Sequence, residues 1–179
     1  GQMMEPVDFD EKKHREVPAK DWACTGTAGG RAHNIVNSLI IEPDALEAVL
    51  EERFKRYAVI EEKEVMYEEF MTDDADIIVV AFGITARIAR TAVVAAREKG
   101  IKAGLFRPIT LWPFPNKRLY ELADSAKSFL TVEMSKGQMV NDVRLAIECK
   151  KPVGFYGRTG GIIPEPAEIL GELEKLASK

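Results

Sequence analysis

Asp76-Ile77-Ile78-Val79-Val80-Ala81-Phe82-Gly83 is the stretch of sequence that decides the fold. Its continuous apolar run, rich in β-branched residues, is typical of a strand buried on both faces, as the strands of parallel sheets are. A helix is predicted to follow as far as Lys99, with Thr85 as its N-cap and Gly100 ending it. A buried strand followed by a helix predicts an α/β fold.

The rest of the chain repeats this alternation in both directions. Further strands are predicted at 65–70, 102–106, 128–133 and 152–156, the first of them as an edge strand. Further helices are predicted at 43–62, 116–124, 137–148 and 165–177, with Pro43 near the start of the first and Asn116 capping the second. This order predicts a doubly wound sheet with right-handed crossovers and helices on both faces, which is a three-layer αβα architecture.

The chain is divided by this pattern into three parts. Residues 1–42 lack periodicity and are predicted to be an irregular arm or linker, residues 43–64 a helix leading into the domain, and residues 65–179 the α/β domain. The arm nevertheless carries several large apolar residues that need burial: Trp22, Ile35, Val36, Leu39, Ile40 and Ile41. We therefore expect it to pack on another domain.

Composition excludes several classes of function. The formal net charge of −4 argues against a nucleic-acid or membrane-surface role, and no apolar run is long enough to cross a bilayer. The N-terminus lacks the features of a signal peptide, so the expected location is cytoplasmic. Two cysteines, Cys24 and Cys149, are too few for an iron–sulfur cluster, and two histidines are too few for a histidine-rich metal site. No metal ligand is predicted.

Candidate site residues follow the strands, because ligands and partners of open parallel sheets meet the carboxyl ends of the strands. The turn at 83–85 lacks a nucleotide-binding glycine pattern and is predicted to be a plain strand–helix connection. In the loop 157–161, Arg158 with Gly160 and Gly161 suggests an anion site, with a flexible turn and an exposed arginine as the alternative.

Two other strand-end features leave alternatives open. Glu133 suits a general base, a cap for the helix starting near Gly137, or a partner for Arg107 or Arg158. The loop Trp112-Pro113-Phe114-Pro115 suits an apolar plug or a docking patch. No nucleophile, histidine and acid combine into a catalytic set, so no catalytic residue is predicted. A partner-binding domain is favoured over an autonomous enzyme.

Four segments together resemble the α subunit of 2-oxoacid:ferredoxin oxidoreductases. They are residues 76–83, 107–115, 133–139 and 155–161, and their order and spacing match along 65–179. The arm is similar at Thr25-Gly26, Gly29-Gly30-Arg31 and His33-Asn34. The similarity is greatest to the 2-oxoisovalerate and 2-oxoglutarate branch.

The resemblance implies a transketolase C-terminal-like domain, with a mostly parallel five-stranded sheet and one antiparallel edge strand. It implies a parent enzyme that oxidatively decarboxylates a 2-oxoacid to an acyl-coenzyme A and reduces ferredoxin. Thiamine diphosphate, Mg²⁺, iron–sulfur clusters and coenzyme A would serve that enzyme, none of them bound by this chain. The implied partners are a preceding pyrimidine-binding domain not contained in these 179 residues, the β, γ and δ subunits, and ferredoxin.

The resemblance carries over loop positions rather than catalytic residues, because the GDG-type metal motif and the cluster cysteines are missing. The expected subunit or interdomain contacts are Arg107, Pro108, Trp112, Phe114, Glu133 and Gln138, and Arg158 with Gly160 and Gly161 remains the anion-site candidate. The isolated chain is expected to be inactive, to expose an apolar patch around 112–114 and the arm, and to self-associate. Two alternatives are a free-standing nucleotide- or anion-binding domain, and the C-terminal domain of a transketolase or 2-oxoacid dehydrogenase β chain.

Overall fold

The computed structural model describes residues 16–24, 26, 29, 30 and 32–178. Within these residues the chain forms two compact units, one ending at Lys55 and the other beginning at Arg56. The predicted arm thus lies partly outside the described residues, at positions 1–15, 25, 27, 28 and 31. Its described part contains no helix or strand before residue 43.

The described residues from 43 onward contain five helices and five strands. In chain order these are α1 (Pro43–Lys63), β1 (Tyr67–Phe70), β2 (Ile77–Val80), α2 (Gly83–Glu98), β3 (Ala103–Pro108), α3 (Asn116–Ser125), β4 (Ser128–Glu133), α4 (Met139–Ala146), β5 (Val153–Gly157) and α5 (Pro166–Ala177). Every helix and strand predicted from the sequence is present, and the α/β class is confirmed.

The five strands form one sheet in the order β1-β3-β2-β4-β5. β2 lies at its centre, and Val79 is paired with Leu105 of β3 on one side and with Leu130 of β4 on the other. β2 to β5 run parallel, whereas β1 pairs antiparallel with β3. After β2 the chain forms β3 on one side of it and then crosses to form β4 on the other side. The strand order therefore reverses between β2 and β4. Such a reversal opens a crevice at the carboxyl ends of the strands.

Helices cover both faces of the sheet because β2 is apolar on both. Ile77 and Val79 pack with α2 and α5, including Ile169 and Leu173. Ile78 and Val80 pack on the other face with α3 and α4. Each fully buried aliphatic side chain contributes about 1.5–3 kcal/mol to folding. The three-layer architecture is therefore confirmed, with a separate apolar core on each side of the sheet.

The starts of three helices differ from the sequence predictions in their cap or by more than one residue. α2 begins at Gly83, so Thr85 lies inside the helix, where its hydroxyl donates to the Phe82 carbonyl oxygen at 2.7 Å. Asn116 is the first residue of α3 rather than its cap. α4 begins at Met139, two residues later than expected, and its N-terminus is capped by Glu133. Capping groups that come from a neighbouring strand leave no local pattern in the helix sequence.

Gly104→Ala tests how closely β3 packs against the turn after β1. A β-carbon at position 104 would lie 2.5 Å from the carbonyl oxygen of Met71 and 3.0 Å from Cβ of Ala75. We expect a loss of about 2 kcal/mol in the free energy of unfolding measured with urea, because backbone must move to relieve the clash. Gly171→Ala is the matched control. It has open space within α5, so it should raise stability by about 0.5–1 kcal/mol. Equal effects at the two positions would contradict this packing.

Candidate docking site

The four parallel strands end at one edge of the sheet, and the loops that follow them lie there. The last residues of β2, β3, β4 and β5 are Val80, Pro108, Glu133 and Gly157. We call the loops after these residues (81–83, 109–115, 134–138 and 158–165) the carboxyl-end surface. All four segments chosen from the sequence fall at this edge.

Glu133 lies beside the point where the strand order reverses, and it is only 3% exposed. Its carboxylate accepts backbone N–H groups from Gln138 at 3.0 Å, Met139 at 3.1 Å and Val140 at 2.9 Å. It also accepts the Ser135 hydroxyl at 2.9 Å. These donors include the free N–H groups at the start of α4, where a negative charge is favoured.

Of the three roles open for Glu133, the structure therefore supports the helix cap. A carboxylate that already accepts four donors in a buried position is poorly placed to take a proton from a substrate. Arg107 pairs instead with Glu68 at 2.8 Å, and Arg158 pairs with Glu168 at 2.9 Å. Glu133 thus holds the loop 134–138 against the sheet.

Glu133→Gln should destabilise the loop 134–138 without changing the side chains that the loop exposes. The amide nitrogen cannot accept the N–H donors of α4, so at least one donor is left without a partner. We expect a loss of about 2 kcal/mol in the free energy of unfolding by urea. The control is Glu98→Gln at the exposed end of α2, which should change stability by less than about 0.5 kcal/mol. Equal stability of the Glu133→Gln and wild-type chains would rule out the cap.

Arg158 is committed to a carboxylate in this structure. Glu168 accepts the backbone N–H of Glu165 at 2.8 Å as well as the Arg158 guanidinium. The hydrogen bond from that N–H has the largest effect and lowers the pKa of Glu168, while burial opposes it. The Tyr156 hydroxyl and the charge of Arg158 lower the pKa further. An anion at Gly160 and Gly161, which are exposed, would have to compete with Glu168 for the arginine. The anion site therefore stays a prediction.

The interface candidates differ in how much of each side chain reaches the surface. Trp112 is 55% exposed and Gln138 is also exposed. Phe114 is half-buried and packs on the core formed by α3 and α4. Pro108 and Glu133 are buried, so any interface role for them acts through the loops they support. Within the loop 112–115, Phe114 thus serves as the apolar plug and Trp112 remains available for docking.

Each loop of the carboxyl-end surface carries at least one exposed large apolar side chain. Their exposed fractions range from 36% to 55%, and the residues are Phe82, Ile109, Leu111, Trp112, Met134, Ile162 and Ile163. Of these residues, only Trp112 was an individual interface candidate from the sequence, although Ile109 and Met134 lie in the segments chosen there. The others could have been noticed as apolar residues in strand-end turns, where polar residues are the norm. Such a concentration of exposed apolar residues marks an interaction surface.

A cleft of about 760 Å³ opens at the corner of this surface nearest β1. Its aromatic wall contains Tyr67 and Trp112. The Trp112 ring is held edge-to-face by Tyr57, with 5.4 Å between ring centroids. One wall of the cleft is therefore aromatic, and its Trp112 ring is supported by the Tyr57 ring.

An ion-pair network lies at the floor of the same corner. Arg118 of α3 donates from Nε and Nη2 to the two oxygens of Glu69 at 2.7 and 3.1 Å. It also donates to Glu121 at 3.2 Å. The hydrogen bond from Arg118 lowers the pKa of Glu69, against the opposing effect of burial. This network ties α3 to β1.

Glu69→Gln should make stability less dependent on acid pH. The ordinary pKa of a glutamate is 4.5, and the pKa of Glu69 is lower in the folded chain. The pairing therefore stabilises the fold fully above pH 4.5, and this contribution is lost as the pH falls through the folded-state pKa. We expect the substitution to cost about 1 kcal/mol at pH 7, and less below pH 4, in urea unfolding. The same cost at both pH values would contradict the pairing.

The described residues offer no ligand set for a metal ion or an iron–sulfur cluster. They contain no group of three or more histidine, cysteine, aspartate or glutamate residues able to hold a metal ion. The two cysteines of the sequence, Cys24 and Cys149, are exposed thiols, whereas an iron–sulfur cluster needs about four thiolates. Within the part of the chain that is described, none of the helices combines the length and apolar character needed to cross a membrane.

The fold matches that of a solved 2-oxoglutarate:ferredoxin oxidoreductase from Magnetococcus marinus. The TM-score is 0.71 at 21% sequence identity, and the match covers 87% of this chain and 28% of the other. The architecture is therefore that of a domain found in this class of oxidoreductase.

Sequence comparison identifies the family. Residues 75–169 match the family described as pyruvate:ferredoxin oxidoreductase core domain II, and the chain belongs to this family. It is 42% identical over 179 residues to the ketoisovalerate oxidoreductase subunit VorB of Methanothermobacter marburgensis. This match covers 100% of the chain and 50% of the relative. It is 38% identical over 112 residues to the 2-oxoglutarate synthase subunit KorA of the same organism, covering 63% of this chain and 30% of the relative. The family prediction made from the sequence is confirmed.

The chain spans about half the length of the VorB relatives that it matches.

Proposed function

We propose that the chain is the assembly domain of the α subunit of a 2-oxoacid:ferredoxin oxidoreductase and has no turnover of its own. The observation that carries the proposal is the row of exposed apolar side chains along the carboxyl-end surface, from Phe82 to Ile163. A partner that covers these loops would bury apolar area at the point where ligands and partners meet sheets of this kind.

The arm supports the same proposal. Val36 is 97% exposed in the described part of the arm, and Ile35 and Ile41 are also largely exposed. Burial of such side chains against another protein surface is favourable, because it removes apolar area from water. In this proposal residues 1–42 pack on a neighbouring domain, residues 43–64 form the connecting helix, and residues 65–179 form the docking domain.

The complete enzyme would convert a 2-oxoacid and coenzyme A to an acyl-coenzyme A and carbon dioxide while ferredoxin takes up the electrons. The VorB and KorA relatives favour 2-oxoisovalerate or 2-oxoglutarate as the substrate. Thiamine diphosphate, Mg²⁺, coenzyme A and the iron–sulfur clusters would be held by a pyrimidine-binding domain of the subunit and by the β, γ and δ subunits. The expected location is the cytoplasm.

A chimera tests the proposal. The half of Methanothermobacter marburgensis VorB that this chain matches is replaced by the chain, and the product is expressed with the other subunits of that enzyme. We expect the chimera to co-purify with those subunits and to support ketoisovalerate-dependent, coenzyme A-dependent reduction of methyl viologen. Ile109→Asp with Trp112→Asp should lower the amount of co-purified partner at least about tenfold, since charged groups would be buried at the interface.

Leu145→Asp is the matched control for this experiment. Leu145 is 75% exposed but lies on the outer side of α4, away from the strand ends. It should leave assembly unchanged. Normal assembly of the double variant, or turnover by the isolated 179-residue chain, would refute the proposal.

A further inference from the structure

The cleft beside Trp112 carries acidic groups that the fold itself does not use. Glu61 and Glu62, near the end of α1, line the cleft and are exposed. Neither forms an ion pair with any residue that the structure describes. Both carboxylates are therefore available to a molecule that enters the cleft.

The positive charges of the cleft do not cancel these carboxylates. Arg118 is already held by Glu69 and Glu121. That leaves Lys117, at the start of α3, as the one lining cation that is not engaged by another described residue. Among the described lining residues, the charged groups left without a partner are thus the two carboxylates of Glu61 and Glu62 and the ammonium group of Lys117. Their sum is a net negative charge.

The cleft also has an aromatic wall suited to a cation. Trp112 presents more than half of its surface, and Tyr67 of β1 is also exposed. Tyr57 holds the Trp112 ring in place, so little side-chain entropy remains to be lost on binding. A guanidinium group stacks well on tryptophan and can bond to carboxylates through its planar fork, whereas an ammonium group is a more strongly hydrated point charge.

We infer that this cleft binds an arginine from a partner polypeptide, with an apolar residue beside that arginine in the partner sequence. The guanidinium stacks on Trp112 and bonds to the carboxylates of Glu61 and Glu62. The neighbouring apolar side chain packs on Val65 and Tyr67. The inference rests on the proposed docking function, because it names the chemistry of the partner at one corner of the carboxyl-end surface.

A peptide titration on the isolated chain tests the inference independently of assembly. Trp22→Phe leaves Trp112 as the only tryptophan of the sequence, so the fluorescence reports on the cleft. The probes are acetyl-Leu-Arg-Leu-amide and the same peptide with citrulline, a neutral analogue of arginine. We expect a saturable change with the arginine peptide, about tenfold weaker binding of the citrulline peptide, and weaker binding of the arginine peptide at high salt.

Two variants assign the binding to these residues. Glu61→Gln with Glu62→Gln should weaken binding of the arginine peptide about fivefold or more, and fluorescence in urea will show that this variant is folded. Glu98→Gln, on the distant α2 helix, should bind the peptide as the parent chain does.

Equal affinity for the two peptides, no saturable change, or unchanged affinity of the double variant would each overturn the inference. A chain that sediments as a dimer and excludes the arginine peptide would also overturn it, by making a second copy the occupant. Peptide binding together with a failed chimera would instead count against the proposed assembly function alone.

Discussion

The burial of β2 on both faces is the constraint on which the rest of this structure depends. All four of its residues are buried, and their apolar side chains point alternately to the two sides. A strand of this kind is stable only if helices cover both faces and other strands pair with both edges. The crossovers through α2 and α3 meet that requirement by placing β3 and β4 on opposite sides of β2.

The same arrangement explains where the functional surface lies. Because β2 to β5 run parallel, the loops after them share one edge of the sheet. The reversal of strand order at β2 opens a crevice at that edge, away from the helices that fill the faces. Glu133 keeps one of these loops rigid by accepting the N–H groups of α4. Rigid loops that expose apolar side chains can bind a partner with little loss of conformational freedom.

Local charge pairing decides which charged side chains near this edge of the sheet are left to interact. Arg107 and Arg158 are both engaged by glutamates within the domain, at Glu68 and Glu168. Glu61 and Glu62 have no such partner among the described residues. The balance of the cleft is therefore acidic. The aromatic wall of Tyr67 and Trp112 adds a stacking surface to that charge.

The sequence by itself determined the order of the helices and strands, the helices on both faces and the position of the loops at one edge. These follow from periodicity and from runs such as 76–82, which depend on near neighbours only. Only the tertiary structure decided that Glu133 caps α4, that Arg158 pairs with Glu168, and that Tyr67 and Trp112 share a cleft with Glu61 and Glu62. The physical reason is that each of these contacts joins separate turns, strands or helices, so its partner is chosen by the packing of the sheet and not by neighbours along the chain.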